Sequence, residues 1–68
     1  MKFCDLLRKI RIEKRLSQSQ LAQLAQLKQQ DISRWESGIC YPSFMAAYRL
    51  TKALDVSMDA LAQECDET

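Results

Sequence analysis

The chain has no histidine, one glycine and one proline among its 68 residues. Without histidine it lacks the commonest general base and the commonest transition-metal ligand. A single glycine leaves no Gly-rich loop to cradle a phosphate. No runs of alternating β-branched residues bounded by Gly/Pro turns are present, so a sheet protein is excluded. Cys4, Cys40 and Cys65 are odd in number and widely spaced. That pattern fits neither a disulfide framework nor a zinc site, and the expectation is free thiols in a reducing compartment. No apolar run approaches the ~20 residues that cross a bilayer, and the N-terminus has no signal-peptide pattern. The sequence reading is therefore a cytoplasmic, soluble protein with no membrane association, no metal and no cofactor. No cysteine has an activating partner, so it is not an enzyme.

What remains is rich in Leu, Ala, Gln, Lys and Arg at helical spacing, which predicts an all-α fold, a compact five-helix bundle. Residues 1–68 make one small domain, which buries only about 60% of the surface of its unfolded chain. Phe3, Leu6, Leu7 and Ile10 mark a first helix over Phe3–Lys14, with Asp5 near its positive end and Lys14 and Arg15 near its negative end. Ser17 followed by Gln20 is a capping-box pattern opening a second helix, Gln18–Ala25, with Leu21, Ala22 and Ala25 turned inward. A tight Gln26-Leu27-Lys28 connection leads to a third helix, Gln29–Ser37, and Gly38 supplies its left-handed stop. Ser43 caps a fourth helix, Phe44–Leu54, with Phe44, Ala47, Leu50, Thr51 and Leu54 as its inner stripe. Asp55 is the next stop, and Ser57 caps a fifth helix, Met58–Glu64. Met45, Tyr48, Met58 and Leu61 are read as core. Residues 65–68 are expected to form a frayed acidic tail.

The net charge of +1 conceals an asymmetry. Residues 1–34 carry eight Lys/Arg and three Asp/Glu, a balance of +5, whereas residues 35–68 carry two and six, a balance of −4. The third helix separates Ile32 and Trp35 on one side from Gln29, Gln30, Ser33, Arg34 and Ser37 on the other. A basic half bearing an apolar-free helical face suits a polyanionic partner. Trp35 lies on the inward side and reads as core rather than as a stacking platform, and Cys40 reads as an inert surface thiol.

The ordered set Leu7-Arg8, Ile10-Arg11, Leu16-Ser17-Gln18, Gln20-Leu21-Ala22, Ile32-Ser33-Arg34-Trp35-Glu36, Gly38, Pro42-Ser43, Ala53-Leu54, Val56-Ser57, Asp59 and Leu61 resembles the Cro/repressor-type, or XRE, helix-turn-helix family over about residues 3–62. The resemblance implies the lambda-repressor-like DNA-binding fold, a helix-turn-helix motif at about 17–37, and a third helix that enters the major groove. It assigns base reading to Gln29, Gln30, Ser33 and Arg34; by chemistry a Gln amide matches adenine and an Arg fork matches guanine. Ser17, Gln18, Lys28, Ser37 and Tyr41 become phosphate contacts, with Gln18 also bracing the first recognition side chain. Arg11 and Glu36 become an ion pair that fixes the angle of the third helix. Met58, Leu61 and Cys65 become the interface of a two-fold homodimer. The implied function is a transcriptional repressor bound to an inverted-repeat double-stranded DNA operator. Two other readings share the fold: an antitoxin that covers a toxin and represses its own promoter, and a restriction-system controller that activates as well as represses, with a toxin or RNA polymerase as the protein partner these readings imply. Three positions depart from the family pattern. Gln26 stands in the turn where Gly is common, Lys28 where Ser or Thr caps the third helix, and Asp31 carries a negative charge into its first turn.

Overall fold

The computed structural model describes residues 1–65, in the order α1 (Phe3–Glu13), α2 (Gln18–Ala25), α3 (Gln29–Ser37), α4 (Phe44–Leu54) and α5 (Met58–Glu64). The starts of α2, α4 and α5 follow from serine chemistry. Ser17 Oγ accepts from the Gln20 N–H at 3.0 Å while Gln20 Oε1 accepts from the Ser17 N–H at 2.8 Å, which completes the capping box. Ser43 and Ser57 cap α4 and α5 by accepting from the N–H groups of Ala46 and Ala60. Each such cap contributes roughly 1 kcal/mol.

The ends of α1, α2, α3 and α4 share one device. Arg15, Gln26, Gly38 and Asp55 have positive φ, and the residue after each donates its N–H back across the last turn: Leu16 to Arg11, Leu27 to Ala22, Ile39 to Arg34 and Val56 to Thr51. These bonds satisfy carbonyls that would otherwise be orphaned. The stops at Gly38 and Asp55 match expectation, and Gln26 takes the left-handed conformation in the turn where Gly is common. The sequence marks no stop at Arg15: α1, expected to reach Lys14, ends at Glu13, and Arg15 reverses the chain. A basic residue at a helix end looks alike whether it complements the dipole or turns the chain.

One core unites the helices. Leu6, Leu7 and Ile10 of α1 meet Leu21, Ala22 and Ala25 of α2, Ile32 and Trp35 of α3, and Ala46, Leu50 and Leu54 of α4. Helix α3 packs on α1 and α2, α2 also packs on α4, and α5 packs on α4. The inner stripe of α4 needs correction: Phe44 is 75% exposed and Ala46 is buried. Burial at Ala46, Leu50 and Leu54 sets the phase at steps of four. Phe44, six residues before Leu50, then falls about 120° around the helix. Met45, Tyr48 and Met58, expected in the core, are also exposed, whereas Leu61 is half-buried against it. Of the expected tail 65–68, Cys65 caps α5, donating its N–H to the Leu61 carbonyl at 2.9 Å; residues 66–68 lie outside the described residues.

Candidate nucleic-acid interface

Helix α3 is held on its inner side and free on its outer side. Ile32, Trp35 and Glu36 are buried, whereas Gln29, Gln30, Ser33, Arg34 and Ser37 are all exposed. Its two ends are set differently. Lys28 at the N-cap makes no side-chain bond to the helix, as its side chain dictates, because a lysine has no acceptor to offer. Asp31 supplies the negative charge that the first turn favours, half-buried beside Trp35 and Arg49. At the other end Gly38 adopts φ 86° and closes the helix.

The buried carboxylate of Glu36 organises the inner rim of this face. Arg11 Nε donates to Glu36 Oε2 at 2.6 Å and Arg11 Nη2 to Oε1 at 3.0 Å, a two-pronged pair between α1 and α3. Arg11 Nη1 donates in addition to the Leu16 carbonyl at 2.8 Å, which ties the α1–α2 connection to the same group. Hydrogen bonding to Glu36 raises the Arg11 pKa above its ordinary value; partial burial opposes the rise and the Glu36 charge adds to it. A raised arginine pKa means that its stabilisation is complete below the unfolded value and fades only as pH climbs through the folded one. Arg11 therefore stays charged throughout the neutral range.

From Glu36 a chain of amides runs outward. Gln18 Nε2 donates to Glu36 Oε1 at 3.1 Å, and Gln18 Oε1 accepts from Gln29 Nε2 at 2.8 Å. The first residue of α2 is thereby joined to the first residue of α3, so Gln29 is oriented before any ligand arrives. Among the described residues, no side-chain hydrogen bond restrains Gln30, Ser33 or Arg34 in this way.

The residues assigned to phosphates surround this face unequally. Ser17 Oγ accepts within its capping box and keeps its own proton for an outside acceptor. Lys28 is exposed at the mouth of α3. Ser37 instead donates its proton to the Arg34 carbonyl at 2.7 Å and must rotate to donate elsewhere. Tyr41 is 65% exposed, and its ring tilts against Phe3 of α1 at 6.0 Å between centroids. Arg8 receives no contact role from the sequence, yet it shares a shallow cleft with Arg11, Gln18, Ser33, Glu36 and Ser37. Its spacing three residues before Arg11 is the signal that could have found it. The residues assigned to a dimer interface divide as well: Met58 is exposed, whereas Leu61 and Cys65 are half-buried against the chain's own core.

Among the described residues no helix is long and apolar enough to cross a membrane. Three comparisons bear on this geometry. The helix-turn-helix family model matches residues 7–61. The chain is 36% identical over 61 residues to the HTH-type transcriptional activator BcrR of Enterococcus faecalis, a match that covers 90% of this chain and 30% of that protein. The chain thus spans about a third of that relative's length. Among solved structures, the restriction-modification controller protein C.AhdI from Aeromonas hydrophila superposes with a TM-score of 0.83 at 34% identity, over 87% of this chain and 89% of that one. A point mutant of the restriction-modification controller protein C.Esp1396I gives 0.83 at 26% identity, over 91% and 80%. With α3 exposing a polar face and braced through its buried Glu36 to α1 and α2, and the match running nearly end to end, the chain belongs to the helix-turn-helix family of DNA-binding transcription regulators.

Proposed function

We propose that the protein binds an inverted-repeat operator as a two-fold homodimer, with α3 of each protomer in the major groove, and represses transcription by occupying a promoter. The observation that carries this reading is the Gln29 amide, exposed at the start of α3 and already held by Gln18. A base-reading group fixed in advance loses less freedom on binding than a mobile one. Gln29, Gln30, Ser33 and Arg34 read base edges, while Ser17, Gln18, Lys28 and Tyr41 set the register on phosphates. Ser37 joins the phosphate contacts once its hydroxyl turns away from Arg34.

A two-fold pair that reads an inverted repeat sets its recognition helices about one DNA turn, roughly 34 Å, apart on one face of the duplex, a spacing of the same order as the 29 × 24 × 22 Å extents of one chain. Pairing through Met58, with Leu61 and Cys65 behind it, covers the least buried helix. The restriction-system controller role is a narrower form of the same reading, and the likeness to C.AhdI favours it over the antitoxin role. A restriction-modification gene pair beside this gene is its discriminator.

Selection from random duplexes, followed by salt titration of the chosen site, tests the proposal. An enriched inverted repeat and a log–log salt slope near −0.9 per phosphate neutralised are expected. No enriched site and a flat salt response overturn it.

A further inference from the structure

The chain of bonds from Glu36 to Gln29 has a direction, and the direction is chemical. An ionised carboxylate only accepts hydrogen bonds, so Gln18 turns its Nε2 toward Glu36 at 3.1 Å and its Oε1 toward Gln29. Gln29 must then donate, and it does so through Nε2 at 2.8 Å. One of its two N–H groups is thereby occupied. The amide keeps one donor and one acceptor for the groove.

That pair complements a single base. Adenine offers the N7 acceptor and the N6 donor, whereas guanine offers two acceptors, N7 and O6. Were Gln18 reversed, its Nε2 would donate to Gln29 Oε1, and Gln29 would turn both N–H groups outward, the complement of guanine. Nothing in Gln18 itself chooses between the two senses, since an amide is nearly symmetric in shape. The choice is made at Glu36, whose side chain is 5% exposed and held from the far side by both prongs of Arg11.

We infer that Glu36 is a specificity-determining positioning residue: acting through Gln18, its carboxylate fixes the sense of the Gln29 amide and so selects adenine over guanine in the operator. The inference rests on the DNA reading proposed above. Glu36 touches no base, and its influence is carried entirely by the polarity of two amides.

Replacing Glu36 by Gln preserves the shape and removes the lock. The new amide can keep its oxygen on Arg11 Nε and turn its N–H toward Gln18, which permits the reversed chain at the loss of the Arg11 Nη2 bond. Gln18→Met removes the relay without touching the Arg11–Glu36 pair, and stands even if the Glu36 variant folds poorly. The base pair beneath Gln29 is identified as the position at which Gln29→Ala abolishes preference after selection from random duplexes. Affinities are then compared for operators carrying adenine or guanine there. Each ratio is taken within one protein, so a uniform loss of affinity cancels.

The wild type should favour adenine by about 5- to 150-fold, the range a bidentate contact supplies. In Glu36→Gln and in Gln18→Met the ratio should fall to within about threefold, with guanine gaining relative to both pyrimidines. Adding Glu36→Gln to Gln18→Met should change it no further. A wild-type ratio retained in either single variant overturns the relay. If both variants lose affinity equally for all four bases, Glu36 serves only the helix angle, which also overturns it. A wild type that selects no site removes the DNA reading itself, and the relay with it.

Discussion

Gln26 holds the turn between α2 and α3 at φ 58°, ψ 44°, and replacing it by glycine should make the protein more stable. An L-residue in the left-handed region carries a penalty of about 1–2 kcal/mol from its Cβ. Glycine removes that penalty but enlarges the unfolded ensemble, which offsets about 0.4–1 kcal/mol. The side chain at 26 is exposed, so little packing is lost. The central values of these two effects leave a net gain of about 0.8 kcal/mol, or a rise in Tm of roughly 3–6 °C for a domain of this size. Thermal melting followed by circular dichroism reads the shift. Urea unfolding should show a higher midpoint at unchanged slope, the mark of altered stability rather than altered compactness. Gly38→Ala provides the mirror experiment. Its new Cβ would lie 3.6 Å from the Cys4 Sγ, an ordinary contact, at φ 86°, so its loss of about 1 kcal/mol reports the backbone alone. Because the turn keeps its dihedral angles, Gln26→Gly should bind operator within about twofold of wild type. An unchanged or lowered Tm in Gln26→Gly would refute the reasoning, since it would mean that the turn carries no left-handed strain.

Other outcomes follow from the same geometry. Gln29→Ala should alter sequence preference, whereas Lys28→Ala should weaken all duplexes alike and reduce the salt slope by about 0.9; competition assays at two salt concentrations separate them. Replacing Arg11 and Glu36 together by Met should lower Tm by only a few degrees, because apolar pairs often substitute for buried ion pairs at little cost. Operator affinity should nevertheless fall, and wild-type affinity in this double variant would dismiss the role of the pair in aiming α3. Leu50→Ala, at a site 1% exposed, should remove about 2–5 kcal/mol from a total of roughly 3–10, lowering Tm by roughly 8–40 °C in circular-dichroism melts. Met58→Glu should shift sedimentation from dimer to monomer, and an unchanged sedimentation coefficient would move the interface elsewhere.

Local signals carried most of the architecture. Each serine cap is written in two or three neighbouring residues, and Ser17, Ser43 and Ser57 open the helices they mark. Stops at Gly38 and Asp55 are equally local. Phase was harder at Phe44, because an aromatic at the first position of a helix counts toward apolar periodicity even when the buried face lies elsewhere. Arg15 was hidden because its side chain gives no hint of its backbone angle. In the interface, the outward face of α3 was legible from spacing alone. The Gln18–Glu36 bond was not, since it joins residues 18 apart through a carboxylate that reads in sequence as one half of an ion pair.

Helix α5 is seven residues long and contributes no buried residue to the protomer. A helix that short is not stable alone, and it should be the first element to open, with amide hydrogens that exchange fastest. If its order is completed by the proposed partner, then pairing and the folding of α5 are one equilibrium, and the melting temperature rises with protein concentration. The dose response inherits that coupling. Dilute protein would be both monomeric and locally unfolded, so operator occupancy would climb more steeply than the amount of protein, and a modest change in expression would act as a switch.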